Sequence, residues 1–234
     1  MTERASLLPR LLTNNQLKIL ALIAMTADHV GLQLLPRYGI LRIIGRLAFP
    51  IFAYMIAEGC TYTRNRKRYL ATLAAMAALF QIVYFVAMGS LYQGIFVTFT
   101  LSVCMIFTLD RAVKARTVPD ILIAVGTVLT VVFLTAILPG LLPRTDYAVD
   151  YDLWGALLPV AVYFAPGRVW KLIATGVLLI PLGLTWGGNQ WFALLALIPL
   201  AMYSGERGKY RMKNLFYIYY PAHLAIIWLL DLLL

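Results

Sequence analysis

The chain has 234 residues, 62% of them hydrophobic and only 13% charged, with a net charge of +10. Soluble domains carry about 25% charged residues, and the shortfall here runs along the whole length, which excludes a water-soluble globular domain built on one core. The basic residues fall in short loops between apolar runs, so membrane topology accounts for the charge and no nucleic-acid partner is expected.

A spanning helix needs about 20 apolar residues. In chain order the apolar runs predict spans at residues 17–35, 43–60, 69–88, 93–110, 120–139, 153–166, 169–185, 191–203 and 215–233. The expected fold is therefore all-α: a polytopic transmembrane helical bundle of about nine helices, forming a single integral-membrane domain over residues 1–234 in contact with inner-membrane lipid. The first run lacks a small-x-small cleavage pattern and is interrupted by Asp28 and His29, so it reads as a span and not as a signal peptide. Cys60 and Cys104 lie in or beside apolar runs, and no spacing suits a disulfide or a zinc site; no metal is expected.

Orientation follows from Lys and Arg placement. With the N-terminus cytoplasmic and the C-terminus periplasmic, sixteen of the twenty basic residues fall on the inner side. They include Arg4, Arg64, Arg66, Lys67, Arg68, Arg111, Lys114 and Arg211, while Arg37, Arg42, Arg46 and Arg144 do not. The outer loops Gly89–Gly94 and Trp186–Trp191 are uncharged and carry aromatic residues, and a longer one near 140–152 holds Asp146, Asp150 and Asp152.

Ionisable groups within a bilayer cost about 2.5–3.5 kcal/mol on insertion scales, so each needs a reason. Asp28 and His29 sit two thirds of the way along the first span; neighbours point about 100° apart, so the two face different partners. His29 reads as a general base or as a packing residue. His223, in the last span, follows Tyr219, Tyr220 and Pro221; the proline frees a carbonyl and predicts a locally irregular polar patch. Arg42 and Arg46 are four apart on one helical face, with Pro50 beyond them and Gly45 allowing close helix contact; that face suits a phosphate, a carboxylate or Asp28. Glu58 lies at the cytoplasmic end of the second span beside the run Arg64, Arg66, Lys67, Arg68, which is either a positive-inside anchor or a dock for an anionic cytosolic donor such as coenzyme A. No Walker A, Rossmann, HExxH or GxSxG motif is present.

Taken together, Leu17-Lys-Ile-Leu-Ala-Leu-Ile-Ala-Met-Thr-Ala-Asp-His29, Leu41-Arg-Ile-Ile-Gly-Arg-Leu-Ala-Phe-Pro-Ile-Phe52 with Glu58-Gly59, Asp150-Tyr-Asp-Leu-Trp-Gly155 and Phe216-Tyr-Ile-Tyr-Tyr-Pro-Ala-His-Leu224 resemble the TraX family of conjugative-transfer membrane proteins. The resemblance covers nearly the whole chain in order. It implies a role in pilin maturation during plasmid transfer, with a conjugative pilin or propilin as substrate and other transfer-apparatus proteins as partners. The family is similar to transmembrane acyltransferases, which implies acetyl transfer from acetyl-CoA to a pilin amine. Asp28, His29, Arg46 and His223 then become the catalytic candidates, and Arg42, Glu58, Arg64, Arg66 and Lys67 the donor-binding ones. A non-enzymatic assembly factor and a small transporter are the alternatives.

Overall fold

A computed structural model describes residues 10–209 and 213–233 of the chain. Arg4 and Arg211, used above for orientation, lie outside the described residues. Thr13 opens the first helix, α1 (Asn14–Gln33), with a reciprocal cap: its side chain accepts from the Gln16 amide, and the Gln16 side chain accepts from the Thr13 amide at 2.8 Å. Then come α2 (Gly39–Gly45), α3 (Ala48–Tyr62), α4 (Arg66–Met88), α5 (Ile95–Ala115), α6 (Val118–Val132), α7 (Leu138–Leu141), α8 (Asp152–Phe164), α9 (Gly167–Trp186), α10 (Leu197–Ala201) and α11 (Lys213–Leu233). Asn65 and Thr117 cap α4 and α6, and Gly89, in the left-handed region at φ 64°, closes α4.

Among the described residues each predicted span corresponds to a helical segment, and there is no strand. Five segments are long and apolar enough to cross a membrane: Gly39–Tyr62, Arg66–Met88, Ile95–Ala115, Val118–Leu141 and Gly167–Trp186. This is a multi-pass helical membrane protein. Three spans are less regular than their apolar runs predict. Residues 43–60 are broken at Arg46 and Leu47, whose amides make short turns to Ile43 and Ile44, because Pro50 has no amide to continue the ladder. Residues 120–139 include a π turn at Phe133–Ile137 just before Pro139. Residues 191–203 fall on a 3₁₀ segment at Gly188–Ala196 that runs into α10. The irregularity expected at Pro221 is absent, since α11 runs through it as α-helix.

The chain forms two compact units. The first comprises the described residues of Met1–Met55 and Gly183–Leu234. Here α1 packs on α2 and α11, and α2 packs on the 3₁₀ segment. Leu22, Ala24, Met25 and Ala48 form its core, with Tyr219 and Tyr220 against them. The segment before α1 is tied down by Leu11 and Leu12 amides that donate to the Met202 carbonyl, each at 2.9 Å.

The second unit is Ile56–Leu182. At its centre α5 packs against α4, α6 and α8 around Cys60, Val103, Met105, Ile106, Ala156 and Val160. Ser102 Oγ donates to the Ala156 carbonyl at 2.8 Å, so a buried hydroxyl ties α5 to α8. The loop after α4 pairs with the segment before α8: Gln93 N–H donates to Ala148 O at 2.8 Å and Asp150 N–H to Gln93 O at 2.9 Å. Tyr92 donates its hydroxyl to Asp150 Oδ1 at 2.8 Å. Burial, and then the Asp150 carboxylate, push the Tyr92 phenol above its usual range, so it stays a donor.

Candidate functional site

The first unit brings together the ionisable residues of α1, α2 and α11. A Cβ on Gly45 would collide with the Asp28 side chain, so only glycine lets that carboxylate reach the end of α2. Asp28 Oδ2 accepts from Arg42 Nη1 at 2.8 Å, and Oδ1 accepts from Arg46 Nη2 at 2.6 Å. The spacing of four between the arginines makes this possible, and Arg46 Nε also donates to the Arg42 carbonyl at 3.4 Å. The Asp28 and Arg46 side chains are only 17% and 12% exposed. Two guanidinium groups against one carboxylate leave the cluster cationic, and a desolvated cation attracts an anion or a developing oxyanion far more strongly than one in water.

Arg46 Nη1 donates to Gln190 Oε1 at 3.2 Å. Gln190 comes from the 3₁₀ segment and is 4% exposed. Because the arginine takes its oxygen, the amide nitrogen is the group left to donate, and Nε2 is buried with no acceptor among the described residues. A buried donor left unsatisfied costs about 1–3 kcal/mol. Such an orphan beside a cation suits an acceptor oxygen from a bound molecule. The sequence reading missed Gln190. It lies in an uncharged stretch, Trp186–Trp191, and nothing in the spacing marks it.

His29 turns away from Asp28, as expected of neighbours on a helix. Its Nδ1 lies 2.9 Å from the Met25 carbonyl, and His223 Nδ1 lies 3.0 Å from the Tyr219 carbonyl. A carbonyl can only accept, so each Nδ1 carries its proton. His223 Nε2 lies 3.2 Å from His29 Nδ1 and, in the neutral ring, accepts from it. That chain of donors assigns the remaining lone pair to His29 Nε2. Aromatic contacts hold the pair: Tyr219 stacks on His223 at 5.4 Å, Tyr220 meets its edge at 5.4 Å, and the two imidazoles lie 5.0 Å apart. Tyr219 in turn hydrogen-bonds Thr26 on α1 at 2.7 Å. His29 is thus oriented by another histidine, not by a carboxylate.

The expected donor-binding residues divide between the two units. Arg42 is bonded to Asp28 in the first unit. In the second unit, Glu58 is 3% exposed and pairs with Lys171 at 2.5 Å, a partner the sequence did not suggest. Arg66 donates to Asp110 at 2.6 Å, and its guanidinium lies over Phe107. Arg64 and Lys67 are exposed. Among the described residues no group of His, Cys, Asp and Glu could hold a metal ion.

The fold and these contacts define a class: a multi-pass helical membrane protein that keeps a histidine pair and an arginine–aspartate cluster among its helices. The chain belongs to the TraX protein family, whose sequence pattern matches residues 13–231. It is similar to the probable fimbrial assembly protein FimC, serogroup H1, of Dichelobacter nodosus: 27% identical over 243 residues, which cover 91% of this chain and 93% of that one. A stretch of 44 residues is 59% identical to an uncharacterized protein of Rickettsia prowazekii (strain Madrid E), covering 18% of each chain. No solved structure matches the chain significantly.

Proposed function

We propose that this protein is an acyltransferase of the bacterial inner membrane in conjugative pilin maturation, moving an acetyl group from cytosolic acetyl-CoA to a pilin amine. The observation that carries the reading is the His29–His223 pair, which leaves His29 Nε2 with a lone pair and a fixed ring. Family membership and the name of the fimbrial relative support the pilin part. The similarity of the family to transmembrane acyltransferases supports the chemistry.

In this reading an attacking amine loses its proton to His29 Nε2 as its nitrogen bonds to the thioester carbonyl carbon. The carbonyl oxygen becomes an oxyanion, for which Arg46 and Gln190 Nε2 are the donors at hand. Collapse breaks the C–S bond, and the imidazolium returns the proton to the departing thiolate. His223 holds the tautomer; Asp28 positions the two arginines.

Purified protein in nanodiscs, given acetyl-CoA and pilin, should add the mass of one acetyl group to the pilin. Pilin from cells lacking the protein should be lighter by the same amount. Pilin of identical mass with and without the protein would reject acyl transfer. The name of the fimbrial relative favours a second reading, a non-enzymatic assembly factor that holds membrane-inserted pilin. Retention of pilus formation when both histidines are replaced would select it.

A further inference from the structure

We propose that the second unit holds the headgroup of an anionic phospholipid where α4 and α6 begin and α5 ends. These three helices alternate in direction, so two helix N-termini and one C-terminus meet at one end. A cavity of about 600 Å³ opens there. Four cations rim it: Arg66, Lys67, Arg111 and Lys114. Below them the walls are apolar, from Leu70, Phe107 and Ile123.

Two carboxylates fix the rim without neutralising it. Asp110 accepts from Arg66 at 2.6 Å and from Lys114 at 2.9 Å, and Asp120 pairs with Arg111 at 2.6 Å. The carboxylates are buried in the helix ends, while the Arg111 and Lys114 side chains are 71% and 68% exposed. The cations are therefore anchored at one end and open at the other. The positive ends of the α4 and α6 dipoles add to the attraction for an anion. Basic recesses between spanning helices at a membrane surface suit phospholipid headgroups.

The lining decides between an anionic lipid and a nucleotide. A nucleobase needs hydrogen-bond partners for its edges. The one uncharged polar side chain on the cavity wall, Thr108, already donates to the Cys104 carbonyl at 2.9 Å. An apolar wall beneath a cationic rim fits an acyl chain beneath a phosphate. A zwitterionic headgroup brings its own cation to the rim, so a net-negative headgroup is preferred. All of its lining residues belong to the second unit, and the proposal does not depend on acyl transfer.

The test uses the full-length protein in detergent, with phosphatidylglycerol and phosphatidylcholine as probes and bound lipid counted by native mass spectrometry. Phosphatidylglycerol should be retained and phosphatidylcholine not. The double variant Lys67→Gln/Lys114→Gln keeps Arg66 on Asp110, so the fold should hold; it should bind phosphatidylglycerol about tenfold more weakly. Leu70→Trp fills the cleft and leaves every charge in place, and it should also lose the lipid. Equal retention of both lipids, or unchanged binding in the double variant, would overturn the proposal. Unchanged binding in Leu70→Trp would show diffuse surface charge and no site. Displacement of phosphatidylglycerol by coenzyme A, itself lost in the double variant, would reassign the cavity to a nucleotide.

Discussion

At the scale of single residues, the base of the proposed reaction is defined by what its ring cannot do. His29 Nδ1 is committed to Met25 and His223, so proton transfer falls to Nε2. His29→Ala should lower the acyl-transfer rate about 10²–10⁴-fold, the usual worth of a positioned base. His29→Gln keeps hydrogen bonding but cannot take a proton usefully near neutrality, and it should be nearly as slow. Single-turnover rates with purified pilin decide this; near-native turnover in His29→Gln would make the histidine structural. Arg46 gives the contrasting case. Its guanidinium joins Asp28 to Gln190, and removing one partner of a buried pair costs about 3–5 kcal/mol. Arg46→Gln should lower the unfolding temperature in detergent and abolish transfer, whereas Arg144→Gln, on an exposed loop, should do neither. Equal tolerance at both sites would reduce Arg46 to an interface anchor.

At the scale of elements, α2 can deliver its arginines only because Gly45 lets Asp28 approach. Gly45→Ala puts a methyl group where the carboxylate lies, and overpacking of this kind costs about 1–3 kcal/mol. Thermal unfolding should register that loss, together with weaker activity, while Gly39→Ala, with open space around its Cβ, should leave the Asp28 cluster intact. A second element-scale prediction concerns the loop after α4. Ser90 Oγ donates to Asp146 Oδ2 at 2.5 Å and Leu91 N–H to Oδ1 at 2.8 Å, and these bonds hold the Asp146 carboxyl below its usual range. A depressed folded pKa means the tie is fully present above the ordinary carboxylate pKa of about 3.9 and is lost as pH falls through the lower folded value. The Leu91 amide should therefore be protected from hydrogen exchange near neutrality and lose protection in acid. Asp146→Asn should reduce that protection at neutral pH; an unchanged rate would show that the carboxylate does not hold the loop.

For the molecule as a whole, the basic residues set the expected orientation. A reporter fused after Leu234 should behave as periplasmic, and one inserted between Ser204 and Lys209 as cytoplasmic. The reverse at both sites would place the basic end of the second unit, with its proposed lipid, on the outer face.

Membrane embedding and the position of each helical segment could be read from the chain, and five of those segments are long and apolar enough to cross a membrane, because apolar runs and charged loops are local properties measured against a fixed bilayer thickness. The same logic flagged Asp28, His29, Arg42, Arg46, Glu58 and His223, since a polar group in an apolar run stands out whatever it touches. What the sequence left open was who meets whom. Asp28 goes to the two arginines, His29 to a histidine 194 residues away, Glu58 to Lys171, and Gln190 enters from a segment that reads as an outer loop. Those pairings depend on the rotation of each helix about its axis and on how closely neighbours approach. Both are settled by packing between distant segments, at positions such as Gly45 where the absence of a side chain matters more than any residue present. The breaks at Arg46 and over Gly188–Ala196 are of the same kind. Non-α backbone within a span is tolerated only where surrounding protein satisfies its polar groups, and hydropathy carries no record of that surrounding.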